Sequence, residues 1–303
     1  MKQMRVGGFA GYGPNIIVGC MRIGDLSKSE LETFIKTAMD LGANSFDQAD
    51  IYGTEEHFAS CLDLKNAAFR DKIIIQSKIG ICDDYYDLSH GYLVKSVDAM
   101  LKRLRTDYID TLLLHRPDIL TDWERLGDAL DHLARCGKIS EIGVSNFNSS
   151  QIELLQKHMT RLVHVNQLQL SLTNCSLIKQ NMHTNTEAAD ALMRDDGIYN
   201  YCLVNKIGIQ TWSPLQYGTF SGTFIGNKKF KELNKKLNEI AEKYSVSPNT
   251  VALAWILTIP KDMQVITGTT NLTRLKECIQ ASEMVLTREE WYGLYKAAGN
   301  FLP

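Results

Sequence analysis

Short apolar or β-rich runs recur along the whole chain. They are IIVGC (16–20), ANSFDQA (43–49), KIIIQSK (72–78), YIDTLLLH (108–115), KISEIGVS (138–145), VHVNQLQL (163–170), KIGIQTWS (206–213) and MQVITG (263–268). Each is long enough for a strand and too short for an ordinary helix. Between them lie stretches with helical period, at 27–42, 89–105, 121–137 and 230–245. The first opens on Ser27 or Ser29 as N-cap and closes on Gly42, a residue suited to the left-handed helix end. Continuous apolar strands alternating with amphipathic helices imply a parallel sheet covered by helices. Eight such units imply an α/β protein built as a closed (β/α)8, or TIM, barrel. No linker divides it, so residues 1–303 read as one domain.

Some stretches depart from the repeat. Residues 171–205 read as a long connection with one helical stretch, TEAADALMR, and no strand. The Gly-rich run 214–229 reads as a mobile loop. VSPNTVALAWILTIP adds a helix before the eighth strand, and TREEWYGLYKAAGN reads as a last helix outside the barrel. The segment before residue 15 is expected to form a β-hairpin closing the barrel bottom. The short tail, NFLP, implies that no long loop covers the site and that varied aldehydes or ketones could enter.

Composition narrows the partners. A net charge of −2 without a long basic run argues against nucleic acid or an anionic membrane. No apolar stretch approaches the roughly 20 residues needed to span a bilayer, and the N-terminus lacks a signal-peptide middle. Seven scattered cysteines with no CxxC pair read as reduced thiols, and no metal-ligand cluster is evident. The cytoplasm is the expected location.

Four polar residues stand at or just after successive strand ends: Asp47, Tyr52, Lys78 and His115. Barrel active sites lie at that end of the strands. A tyrosine is a poor acid near neutral pH, with a free pKa of about 10. A neighbouring ammonium stabilises its phenolate, a carboxylate can hold the ammonium, and an imidazole can orient a carbonyl. Singly, each has a commonplace structural reading: a cap, a turn aromatic, a solvated charge, a packed histidine. Together, in this order, they form a set that can protonate a carbonyl oxygen. Later strand ends carry Ser145 and Asn146, Asn166 and Gln167, and Trp212 and Ser213. Those amides and hydroxyls suit a carboxamide, and the indole suits stacking.

With these motifs in order, D-x-A-x-x-YG, SK, LLLHRPD, GVSNF, NQ and WSPL, the chain resembles the aldo-keto reductase family over almost its full length. The resemblance is to the branch with tryptophan before SPL rather than the mammalian aldose-reductase group. It implies that Tyr52 is the general acid, that Lys78, held by Asp47, lowers its pKa, and that His115 binds the substrate oxygen. It implies further that Ser145, Asn146 and Gln167 hold the nicotinamide carboxamide and that Trp212 stacks on the ring. Gly19, Met21, Ser213 and Leu215 join the cofactor contacts. The family uses NADPH without a Rossmann fold, and GGFAGYG does not spell the dinucleotide fingerprint. At the adenosine end the family reads Lys-Ser-x-x-x-x-x-Arg-x-x-Glu-Asn. Here the run is GTTNLTRLKEC, with Gly268 at the lysine and Cys278 at the asparagine. Gly268, Thr269, Thr270, Arg274 and Glu277 are the candidates that remain. With one cation fewer, NADPH/NADP+ is the expected cofactor and NADH is admitted.

The implied reaction is reduction of small-molecule aldehydes or ketones to alcohols. Two other readings compete with it: a cofactor-sensing regulatory subunit with little turnover, and a Schiff-base aldolase using Lys78 as nucleophile. The nicotinamide platform argues against the aldolase. Monomer and homo-oligomer are both left open.

Overall fold

The structure is a computed structural model that describes residues 1–5, 12–184, 186, 187, 189–219, 221–260 and 263–303. Strands β1 (Gln3–Arg5) and β2 (Tyr12–Pro14) pair antiparallel. They form the expected hairpin, whose turn (6–11) falls outside the described residues. It leads straight into the barrel strands β3 (Ile16–Gly19), β4 (Ser45–Asp47), β5 (Ile74–Ile79) and β6 (Ile109–Leu114). Those are followed by β7 (Ile139–Ser145), β8 (Val163–Gln169), β9 (Gly208–Trp212) and β10 (Met263–Thr267). All neighbours pair parallel, and β10 closes on β3. Seven of the eight apolar runs read in the sequence contain one of these strands whole, and β5 passes the end of its run by one residue, to Ile79. Among the described residues no helix is long and apolar enough to cross a membrane.

The helices form for local reasons that can be named. Lys28–Asp40 starts from Ser27, not Ser29, in a reciprocal capping box with Glu30. Trp123–Arg135 starts from Asp122, Pro248–Leu257 from Ser247, and Arg288–Ala297 from a Thr287–Glu290 box. Their apolar stripes meet outward-facing strand residues such as Val18, Phe46, Ile75, Leu112, Leu114, Val144 and Ile209 in one core. Alternate strand residues face the lumen instead.

The long connection differs from expectation. TEAADALMR yields only a short 3-10 turn at Ala189–Ala191, with residue 188 outside the described ones. The α-helices flank it, at Ser176–Met182 and Ile198–Val204. The cause is burial. The flanking segments bury Leu177, Ile178, Ile198 and Cys202, whereas Leu192 and Met193 are exposed. Alanine-rich propensity without an apolar face to bury is too weak to decide the outcome.

The Gly-rich run is also more built than a loop. Leu215 accepts from Phe224 N–H and Gly222 accepts from Tyr217 N–H, at 3.2 and 3.0 Å. Buried Phe224 packs with Phe230, which in turn meets Tyr217. The short tail takes part in the mouth. Asn300 donates to Leu172 O at 3.3 Å, and Phe301 O lies 3.1 Å from His183 Nε2.

Gly19 has a packing reason to lack a side chain. A Cβ there would sit 2.5 Å from Thr267 O on the adjoining strand. Gly19→Ala is expected to lower stability by about 1–3 kcal/mol through overpacking. It should appear as a lower urea midpoint at unchanged slope; an unchanged midpoint would mean β3 and β10 separate at no cost.

Candidate active site

The four acid–base candidates arrive together at one end of the barrel. Asp47 closes β4, in register with Gly19 on one side and Gln76 on the other. Lys78 lies near the end of β5, opposite Leu113. His115 follows β6 directly, and its N–H donates to Ile79 O at 2.9 Å. Tyr52 ends a 3-10 turn, Asp50–Tyr52, and its N–H reaches Ala49 O at 3.0 Å. Gly53 follows at φ 65°, a left-handed conformation that glycine adopts freely, and redirects the chain into the helix Glu55–Ser60. Arg103 pairs with buried Glu55 at 2.5 Å and braces that helix.

Lys78 Nζ donates to both Asp47 oxygens at 2.6 Å and to Gln48 O at 2.8 Å. Both partners are buried. The ammonium lies 5.2 Å from the Tyr52 ring centroid. The His115 ring stands nearly perpendicular to that of Tyr52, with centroids 6.3 Å apart. His115 Nδ1 is buried with no hydrogen-bond partner among the described residues.

The electrostatics fit a neutral acid beside a permanent cation. Burial raises Tyr52 above the ordinary tyrosine value, Lys78 pulls it back, and Asp47 pushes it up again; the net direction is upward. Lys78 therefore lowers the phenol, as expected, but burial outweighs it. Burial works to lower Lys78, but Asp47 and Tyr52 outweigh it and the ammonium sits above the ordinary lysine value. Burial, then Lys78 and Arg116, push His115 down to about 3. The site is thus Tyr–OH, Lys–NH3+ and neutral imidazole across neutral pH.

The cofactor candidates divide. Ser145 Oγ donates to Gln167 O at 3.0 Å, and Asn146, at φ 60°, donates from its amide to Ser145 Oγ at 2.8 Å. Trp212 Nε1 donates to Asn146 Oδ1 at 3.2 Å, so the indole and the amide form one surface. Ser213 takes φ 52° and accepts from Gln216 N–H, starting the turn that carries Leu215. Met21 is exposed at the mouth. Gln167, whose backbone oxygen takes the Ser145 hydroxyl, aims its Nε2 into the lumen, 3.0 Å from Asp47 Oδ1 and 3.3 Å from Gln210 Oε1.

At the other end, Gly268 to Thr270 lead into the helix Leu272–Gln280, capped by Asn271 accepting from Arg274 N–H. Arg274 is exposed. Glu277 is taken up by Asn249, 2.7 Å away, and Cys278 is buried, its thiol pushed up to about 12 by burial. The Cys278 position therefore belongs to the core.

Sequence reading missed Arg22. Its Nη1 donates to Gly268 O at 3.3 Å and lies 3.7 Å from where a Gly268 Cβ would be. A guanidinium thus stands beside the position where the family pattern has its lysine. No local signal points to it, since only strand closure brings residues 22 and 268 together.

The chain matches the model of the aldo/keto reductase family over residues 15–297. It is 34% identical over 300 residues to a 6-dehydroglucose reductase of Agrobacterium fabrum, covering 93% of each chain. It is 30% identical to the oxidoreductase YdhF of Escherichia coli (strain K12), covering 93% of this chain and 92% of that one. A solved thermostable aldo-keto reductase, in complex with the inhibitor epalrestat, superposes with a TM-score of 0.78 at 26% identity, over 98% of this chain and 100% of that one. The chain belongs to the aldo/keto reductase family, and its activity is NAD(P)H-dependent reduction of carbonyl groups.

A pH expectation follows from His115. The profile of kcat between about pH 5 and 8 should show no limb at the ordinary histidine value, because the imidazole stays neutral down to about pH 3. The unfolded chain binds this proton below about 6.5 and the folded chain does not, so stability falls as pH falls through that window. A limb near 6.5 that vanishes in His115→Asn would refute the neutral imidazole.

Proposed function

We propose that the chain is an NADPH-preferring carbonyl reductase in which Tyr52 protonates the substrate oxygen. The observation that carries this reading is the buried Lys78–Asp47 pair placed against the Tyr52 ring, with a neutral His115 beside it. Burial keeps Tyr52 protonated until a partner oxygen gains charge. Lys78 then stabilises the phenolate left behind, and Asp47 stops the ammonium from swinging away. The unpartnered His115 Nδ1 supports a ring held ready to share a hydrogen bond.

The bound nicotinamide supplies hydride. Ser145, Asn146 and Trp212 fit its carboxamide and ring by donor chemistry and by their shared surface. Gly268 leaves open the space a side chain would take, and Arg22 and Arg274 offer the charge that a phosphate attracts. That pair supports NADPH over NADH despite the absent lysine. The substrate is a small carbonyl compound, and the similarity to a 6-dehydroglucose reductase of Agrobacterium fabrum supports including dehydro-sugars among those tried. Seven free cysteines support a cytoplasmic location.

Tyr52→Phe should lower kcat by about 10²–10⁴ across a panel of aldehydes, ketones and dehydro-sugars. The cofactor Kd, read by fluorescence titration, should stay the same. Wild-type turnover in that variant would dismiss Tyr52 as the acid. Arg22→Ala should weaken NADPH binding about tenfold or more while leaving NADH nearly unchanged, as expected for a charge-assisted contact. Equal losses for both cofactors would remove Arg22 from the phosphate.

A further inference from the structure

The lumen of a (β/α)8 barrel is ordinarily filled by layers of branched aliphatic side chains. Here the inward positions Ile17, Leu113, Val165 and Ile266 share it with four glutamines, Gln76, Gln167, Gln210 and Gln264, each 3% exposed. Gln264 Nε2 donates to Pro14 O at 2.8 Å, on the floor made by the N-terminal hairpin. Its Oε1 accepts from Gln210 Nε2 at 3.0 Å. Gln210 and Gln76 then pair reciprocally, at 2.8 and 2.9 Å. Gln76 Nε2 also donates to Asp47 Oδ1 at 2.6 Å. In the closed strand order β5 and β9 are four strands apart in either direction, so the Gln76–Gln210 pair spans the barrel.

The chain of amides has a polarity, and the floor sets it. A backbone carbonyl can only accept, so Gln264 must turn its NH2 toward Pro14 and its oxygen toward Gln210. Gln210 then spends its two N–H groups on Gln264 and Gln76. This leaves Gln76 an N–H for the carboxylate. Flipping any one amide would set two donors or two acceptors against each other in a dry space, which a buried network tolerates poorly. With Lys78 at 2.6 Å and Gln167 at 3.0 Å, Asp47 Oδ1 takes three donors, two of them from this lumen.

We propose that Gln76, Gln210 and Gln264 are positioning residues for the proton transfer: an amide chain anchored on the barrel floor fixes the Asp47 carboxylate so that Lys78 stays aimed at Tyr52. This rests on the reading of Tyr52 as the acid. Without Gln76, the carboxylate has one donor fewer. It draws more of the Lys78 ammonium and leaves less for the phenol, so Tyr52 holds its proton to higher pH. The other titratable groups around Tyr52 and Asp47 are Cys20 after β3, Asp50 at the start of the Tyr52 turn, and His115 and Arg116 after β6. The substitution changes none of them.

The test is Gln76→Leu, read by the pH dependence of kcat, the cofactor Kd and Tm. The expected result is a basic limb displaced upward by about half a unit or more. With it should come a kcat about tenfold lower from the misaimed ammonium and an unchanged cofactor Kd. A lower Tm with the limb and kcat both unmoved would make the glutamines lumen filler and overturn the proposal. If Gln76→Leu does not fold, Gln264→Leu carries the test, with a shift of the same sign and smaller size. Two unfolded variants would assign the amides to folding alone and also overturn it. Tyr52→Phe separates the two readings: a basic limb that persists there would show that the acid is another group, and the positioning role would fall with it.

Discussion

An ammonium and a carboxylate 2.6 Å apart, both out of water, form the constraint around which the mouth of this barrel is arranged. Removing two such charges from water costs several kcal/mol each, and their mutual attraction offsets that only when the remaining donors and acceptors are also satisfied. Lys78 meets the condition with Gln48 O as well as both Asp47 oxygens. Asp47 meets it with amides from two other strands. The neighbours inherit the consequences. Tyr52 is held protonated by the same burial, and His115 is held neutral partly by the Lys78 charge.

The barrel separates two environments with one backbone. Outward strand residues join the helices in a continuous apolar core. Inward ones alternate with them at period two and fill the lumen with aliphatic side chains and a chain of amides that ends at the carboxylate. Stability and chemistry are thereby assigned to opposite faces of the same strands. A substitution on one face need not disturb the other, except at close approaches such as Gly19 against Thr267.

Beside Gly268 a distant residue stands near a position where a local one is missing. The run after β10 lacks the lysine of the family pattern, and Cys278 turns into the core. Arg22, far away in the chain, stands next to Gly268 because β3 pairs with β10. The mouth is trimmed in the same way by distant segments: Asn300 and Phe301 hold the connection after β8, through Leu172 and His183.

By itself the sequence determined the barrel, its eight strands within a few residues, and the placing of Asp47, Tyr52, Lys78 and His115 at or just after successive strand ends. These depend on local pattern: strand-length apolar runs, capping residues such as Ser27 and Thr287, and polar residues at strand ends. Only the tertiary structure decided the rest. TEAADALMR had helical composition but no surface to bury, while its neighbours did. Gln76, Gln210 and Gln264 were visible as polar residues inside three different strands, yet each strand's pattern is silent on their meeting across a lumen. Gln167 turned to Asp47, Glu277 to Asn249 and Arg22 to Gly268 through contacts between residues 28 to 246 positions apart. Periodicity and caps act over a few residues, whereas partners at such separations are chosen by strand order and closure.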